Sequence, residues 1–178
     1  MEAPDEELML AYRHGDAGAF ETLYKRHRGA VYRFILRAVK QRATAEELFQ
    51  DAWMRVIEAR DRYAPQARFT TWLYTIAHNL LVDHWRRKGL TLVELNEELG
   101  VASPGDNPGR QAEAREALGR LLHALEALPA AQREAFLLHE EAGLSVAEIA
   151  KVTGAGEEAA KSRLRYAMAK LKAAVGDD

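Results

Sequence analysis

Leu144 to Lys172 reads LSVAEIAKVTGAGEEAAKSRLRYAMAKLK, and this stretch decides the fold class. Ser145 followed by Glu148 is a capping-box pattern, in which each side chain satisfies a backbone N–H left open at the start of a helix. A short helix then runs to Thr153 with Ile149 and Ala150 turned inward. Gly154-Ala155-Gly156 supplies a tight turn, and a longer helix follows from about Glu157 to Val175. A short helix, a glycine-containing turn and a longer helix make a helix-turn-helix, and the small Ala150 lets the two helices cross closely. The second helix carries Lys161, Ser162, Arg163, Arg165, Tyr166, Lys170 and Lys172, with no acid between Lys161 and Lys172. Such a helix suits the DNA major groove, where base edges are distinguishable. An ordinary helical hairpin with a solvated basic face has the same pattern.

The helical spacing continues upstream. The pattern predicts helices over Ala114–Leu128 and Pro129–Ala142, the second stopped by Gly143. Ser103-Pro104-Gly105-Asp106-Asn107-Pro108-Gly109 is turn and linker chemistry with acidic flanks. Before it, Phe69, Trp72, Leu73, Ile76, Ala77, Leu80, Leu81, His84 and Trp85 mark one face of a helix that ends at Arg86-Arg87-Lys88. Pro65-Gln66-Ala67 breaks the pattern ahead of that helix. Thr44 with Glu47 reads as a second capping box, opening a helix to about Asp61, and Asp16 caps another running to about Ala38. Alternating β-branched stretches are absent. The fold class is all-α: two small helical domains, residues 1–88 and 114–178, joined by a flexible linker over 89–113.

Composition excludes several classes. Of 178 residues 48% are hydrophobic, enough for packed cores. The net charge of −2 is unevenly spread: residues 1–88 hold 15 Lys and Arg against 12 Asp and Glu, whereas residues 89–116 hold 2 against 6. A local anion-binding face fits this distribution better than a general polyanion surface. With no cysteine, there is no disulfide, thiolate metal site or Cys nucleophile. The six histidines lack metal-ligand spacing, and no nucleophile–base set or phosphate-cradling glycine loop stands out. The expectation is a protein with no metal, no cofactor and no catalytic residues, not an enzyme. MEAPDEELML is neither a signal nor a transit peptide, and no apolar run spans a membrane, so a cytoplasmic location is expected.

Two further stretches carry chemistry. In the 69–88 helix, Trp72, Tyr74 and Trp85, together with Asn79 and the basic end, suit single-stranded DNA, with aromatics stacking bases and cations tracking the backbone. The same tryptophans serve equally well as core, and Arg86 and Arg87 as charges complementing the helix dipole. Glu46-Glu47-Leu48-Phe49-Gln50-Asp51-Ala52-Trp53 gives an acidic helix face beside an apolar one. Glu46 and Glu47 favour a helix start, while Gln50 and Asp51 call for another explanation, such as a basic partner helix.

These residues, in this order, resemble the extracytoplasmic-function sigma factors of bacterial RNA polymerase over about residues 5–175. AEELFQDAWMRV (Ala45–Val56) is similar to their region 2.2, and FTTWLYTIAHNLLVDHWRRKG (Phe69–Gly89) to regions 2.3 and 2.4. LPAAQREAFLLHEEAGLSVAEIAKVTG (Leu128–Gly154) with KSRLRYAMAKLK is similar to region 4. The resemblance implies a sigma-2 domain that docks core polymerase and reads and melts the −10 element, and a sigma-4 domain that reads the −35 element. It places Glu47, Gln50 and Asp51 against the β′ clamp, domain 4 against the β flap, and Arg68, Trp72, Asn79, Arg86, Arg87 and Lys88 on −10 DNA. Asn79 falls where a base flipped from the duplex is contacted, and the Pro65–Arg68 loop rims its pocket. Lys161, Ser162, Arg163, Arg165 and Tyr166 fall on the −35 recognition helix. Implied partners are core RNA polymerase, promoter DNA and an anti-sigma factor, with no membrane contact. The chain departs from the family at Pro65-Gln66-Ala67, usually Gly-Asp/Glu-Ser, which leaves the captured base open. It also has Thr153, Ala155 and Ala160 where larger apolar residues are usual, predicting thinner packing, and Tyr166 and Met168 where arginines are usual. A stand-alone helix-turn-helix regulator and a sigma-mimicking antagonist are the competing readings. A simple regulator has no use for a single-strand-binding helix, and a mimic none for its Arg-Arg-Lys end.

Overall fold

The computed structural model describes residues 2–89 and 113–176. Most of the expected 89–113 linker therefore lies outside the described residues. Among these residues the structure is helical with no strand: α1 (Asp5–Arg13), α2 (Ala17–Val39), α3 (Arg42–Glu58), a 3-10 turn (Arg60–Arg62), α4 (Phe69–Arg87), α5 (Glu113–Ala127), α6 (Ala130–Glu140), α7 (Val146–Thr153) and α8 (Glu157–Val175).

The apolar stripes of the sequence become the core. Leu23, Val31, Phe34 and Ile35 of α2 meet Leu48, Ala52 and Val56 of α3 and Phe69, Leu73, Tyr74, Ala77 and Leu81 of α4. Each such fully buried large side chain contributes about 1.5–3 kcal/mol. Tyr74 and Trp85 lie in this core: of the two readings open for Trp85 the core one holds, and the suggestion that Tyr74 stacks bases is corrected. In the second bundle Leu125, Leu137, Leu138, Leu144, Ile149, Val152, Ala160, Ala167 and Leu171 are buried together.

Two caps form as the sequence predicts. Asp16 accepts the Ala19 N–H at the start of α2, and Ser145 and Glu148 form the reciprocal box at α7. The Thr44–Glu47 box does not form. Lys40 adopts a left-handed backbone (φ 68°) with its N–H on Leu36 O, which turns the chain at once into a helix beginning at Arg42. Thr44 is then already inside α3, where its hydroxyl bonds Gln41 Oε1. That helix ends at Glu58, before the expected Asp61, and gives way to the 3-10 turn. Helix α1 was not expected. Its sequence signs are the acids Asp5, Glu6 and Glu7 in the first turn, which complement the helix dipole, and the inward Met9 and Tyr12.

In the helix-turn-helix, Gly154 takes the left-handed conformation that closes α7. Gly156 lies exposed at the N-cap of α8. Behind the turn, Ala160 itself is buried.

The two bundles touch. Helix α4 packs on α7, and α2 packs on α5 and α6. His78 Nδ1 lies 2.6 Å from Glu134 Oε2, and Arg33 Nε donates to Glu141 at 2.9 Å. Arg133 is buried between them, donating to Leu128 O (2.7 Å) in its own bundle and to Ala38 O (3.1 Å) at the end of α2. Burial lowers its pKa to about 10, which leaves it charged near neutrality.

Candidate polymerase and nucleic-acid interfaces

Helix α3 turns Ala45, Leu48, Ala52 and Val56 inward, and this helical spacing leaves Glu47, Gln50 and Asp51 exposed on the opposite face. Gln50 borders a groove of about 510 Å³ between α2 and α3, lined by Tyr24, Arg28, Tyr32, Glu46 and Phe49. An acidic rim beside an aromatic-lined groove can receive a basic, partly apolar partner helix.

Helix α4 presents a second face. Asn79 and Arg86 are seven residues apart, hence on one side, and both are exposed with Arg87, Lys88 and Arg68. The cations at the helix end sit on its negative pole and are free to grip phosphates. His84, beside them, has its pKa lowered by burial and by Lys88 and Arg87, with Glu47 opposing. Trp72 is half-buried, its ring 5.0 Å from Tyr63 and 5.7 Å from Phe69. The exposed Ala64–Arg68 loop precedes α4. Arg68 Nη1 lies 3.3 Å from Glu148 Oε2, and the Thr71 hydroxyl donates to the same oxygen at 3.2 Å.

The third face is on α8. Ala160, Ala167 and Leu171 anchor it inward, leaving Lys161, Arg165 and Tyr166 exposed and Ser162 and Arg163 half-buried. The Arg165 guanidinium lies 5.5 Å from the Tyr166 ring centroid. Glu157 and Glu158 open the helix and favour its start, but would repel a phosphate there.

The candidate residues thus form three separate surfaces. No local pattern signals that Glu148, one half of a helix cap, also reaches Arg68 and Thr71 of the other bundle. Among the described residues no group of three or more His, Cys, Asp or Glu is placed to hold a metal ion. No helix among them is long and apolar enough to cross a membrane.

Two family models match these bundles: Sigma-70 region 2 over residues 23–91 and Sigma-70, region 4 over residues 118–171. The RNA polymerase sigma factor CarQ of Myxococcus xanthus is 35% identical over 95% of this chain and 96% of its own length. The ECF RNA polymerase sigma factor SigM of Mycobacterium tuberculosis is 30% identical over 98% of this chain and 86% of its own. The chain belongs to the extracytoplasmic-function sigma factors. The ECF sigma factor BldN of Streptomyces coelicolor is 34% identical over 97% of this chain, which spans 66% of BldN's length. Among solved structures, CnrH in complex with the cytosolic domain of CnrY superposes with a TM-score of 0.71 at 25% identity, covering 98% of both chains. RpoE in complex with the anti-sigma factor NepR from Bartonella quintana gives 0.69 at 25% identity over 89% of this chain and 98% of that one. As a sigma factor, the protein directs RNA polymerase to initiate transcription at specific promoters, and α7–α8 is its region 4 DNA-binding helix-turn-helix. The region 2 match contains all of α3, the 64–68 loop and α4, but begins after α1.

Proposed function

We propose that this sigma factor works through three surfaces assigned residue by residue. Glu47, Gln50 and Asp51 dock on the β′ clamp of core polymerase. The 64–68 loop with Arg68, Trp72, Asn79, Arg86, Arg87 and Lys88 captures and holds the opened −10 strand. Lys161, Ser162, Arg163, Arg165 and Tyr166 read the −35 duplex, with domain 4 carried on the β flap. The domains are residues 1–88 and 114–178, with 89–113 between them. The polymerase performs all catalysis. The observation that carries this reading is α4: one face is wholly buried while the other presents Asn79, Arg86, Arg87 and Lys88 together to solvent. A stand-alone duplex-binding regulator has no role for that second face.

The contact between the bundles has a geometric consequence. The two promoter elements lie about 25 base pairs apart, roughly 85 Å of duplex at about 3.4 Å per step. Helices α4 and α7 touch, so they cannot serve both elements at once in this arrangement. Residues 89–113, fully extended, reach about 80–90 Å, enough for the bundles to part. The closed form is the one that an anti-sigma factor holds, a reading supported by the likeness to CnrH bound to CnrY and to RpoE bound to NepR.

Run-off transcription tests the function. Added to core polymerase on a promoter library, the chain yields discrete transcripts sharing −10 and −35 sequences. Initiation without sequence preference at every protein concentration would defeat the reading.

A further inference from the structure

We propose that α1 sets the shape of the −10 loop, with Glu6 and Arg13 as positioning residues for selection of the captured base. The inference rests on the reading that residues 64–68 rim the base pocket. Residues 64–68 are all exposed, and among the described contacts the one hydrogen bond joining backbone atoms within them is Gln66 N–H to Ala64 O at 2.8 Å. Both flanks of the loop are instead held from α1. Arg13 Nη1 donates to Tyr63 O at 2.9 Å, just before the loop, and Glu6 Oε2 accepts the Phe69 N–H at 2.8 Å, just after it.

Glu6 and Arg13 are seven residues apart. They therefore lie on the same side of α1, about 10.5 Å apart along its axis at 1.5 Å per residue. The helix acts as a strut of fixed length spanning the two ends of the loop. Arg68, at the N-cap position of α4, makes no side-chain cap, and the Glu6 carboxylate supplies from another helix an acceptor for Phe69, whose N–H is one of those left open at the start of α4. A carboxylate on a helix N-terminal N–H is also favoured by the dipole and is stronger than a neutral bond.

The strut is itself fixed. Asp5 binds Arg26 at 3.0 Å and His27 at 2.8 Å, Arg26 also holds Ala3 O at 2.7 Å, and Met9 and Tyr12 are buried. The Arg60 guanidinium covers the Tyr12 ring at 5.3 Å. At the other end, the buried Tyr63 ring packs edge-on against Trp72. Burial, with Glu6 and Asp5 nearby, pushes the Tyr63 hydroxyl up to about 12, so it stays a neutral phenol under the aromatic floor. Recognition of an extruded base demands placement within roughly half an ångström, which exposed loop residues meet only through such support. Because α1 lies before residue 23, this support comes from outside the matched region 2 segment.

The test is transcription by the full chain with core polymerase on libraries randomised at −10 and, separately, at −35. Glu6→Ala and Arg13→Ala each lower discrimination at one −10 base about tenfold, while the −35 profile and the thermal midpoint stay near wild type. Glu6→Gln restores the −10 profile, because its amide oxygen still accepts the Phe69 N–H. Should Glu6→Ala not fold, Arg13→Ala, which frees only the Tyr63 carbonyl, carries the comparison. Gln66→Ala and Arg68→Ala report on the loop itself. If they change the −10 profile while the α1 variants do not, the strut is refuted and the loop reading stands. If neither set changes it, the loop is not the reader and both inferences fall.

Discussion

Glu134→Ala should release the two bundles from each other. Glu134 is 3% exposed and its partner His78 12%, with their side chains 2.6 Å apart across the contact between α6 and α4. A hydrogen bond to a charged group at a buried site contributes about 1.5–3 kcal/mol, so truncation shifts the ratio of open to closed forms about 10- to 150-fold. The other cross-bundle ion pairs are weaker candidates. Arg68 is 62% exposed in its pair with Glu148 and Arg33 57% in its pair with Glu141, and such pairs are worth about 0–1 kcal/mol each. Arg133 also bridges the bundles, but it holds Leu128 O of its own bundle, so its loss would unfold as well as separate. The chain has no cysteine, so Ala43→Cys and Ala173→Cys, both exposed, provide clean sites for a donor and an acceptor dye. Free wild-type protein should show high energy transfer that falls when core polymerase and promoter are added. The Glu134→Ala variant should show low transfer without them, with unchanged helical content. Equal transfer in both free proteins would refute the claim that this buried pair holds the bundles together.

Asp51→Arg should abolish co-purification with core polymerase at unchanged fold, because a reversed charge against a basic partner surface costs several kcal/mol; wild-type recovery would remove Asp51 from the docking face. Asn79→Ala should reduce permanganate reactivity of the −10 region more than it reduces duplex binding, since a side-chain amide meets a base edge only after the base leaves the stack. Equal loss of both would place Asn79 in initial binding. Arg165→Ala should relax discrimination at one −35 base pair by roughly 1–3 kcal/mol in competition assays with single-base variants; an unaltered profile would mean that another face of α8 enters the groove. Acid should weaken α7 and its contact with α4. Burial raises the Glu148 pKa, but bonds from the Ser145 backbone and hydroxyl, then Arg68 and Thr71, outweigh this and hold it below the usual glutamate range. A carboxylate depressed in the fold adds stability above its unfolded value of about 4.3, lost as pH falls through the folded value. Glu148→Gln keeps a capping box but not the charge, so its dye-transfer signal should lack that part of the acid transition; identical transitions in both proteins would disprove the assignment.

What could be read in the sequence was what is decided locally. The helix-turn-helix rests on Ser145, Glu148 and Gly154, each acting within a few residues of itself, and all three behave as their types dictate. The Thr44–Glu47 box failed for a reason equally local but not written in those two residues: Lys40 turns left-handed and starts the helix early. Helix α1, outside the expected elements, carries local signs of its own: Asp5-Glu6-Glu7 followed by Met9 and Tyr12 is a helix start with an inward stripe. Glu134 left a fainter trace. It sits four residues from both Ala130 and Leu138, in the middle of an otherwise apolar stripe, a position at which a charged residue needs a partner from elsewhere. That the partner is His78, 56 residues away, no local pattern could supply.

Glu148 carries this furthest. By sequence it is the most legible residue of the second bundle, since the third position after a capping serine favours glutamate for purely local reasons. In the structure Oε1 accepts the Ser145 N–H, Oε2 accepts the Thr71 hydroxyl, and Arg68 Nη1 of the first bundle lies 3.3 Å from both oxygens. The Ser145 bond lies within the second bundle and persists whether the bundles are together or apart, while the carboxylate's contacts with Arg68 and Thr71 exist only when they are together. Because the cap keeps that carboxylate fixed and ionised, closing orders only the exposed Arg68 side chain, at an entropic cost of roughly 1.5–2 kcal/mol for a long rotamer-rich group. Net of that cost an exposed pair of this kind is worth about 0–1 kcal/mol, so opening it for DNA requires little work. On the proposed assignment of Arg68 to the −10 strand, a phosphate arriving at the loop competes directly with Glu148 for the same guanidinium. Promoter binding and separation of the bundles are then coupled through one side chain.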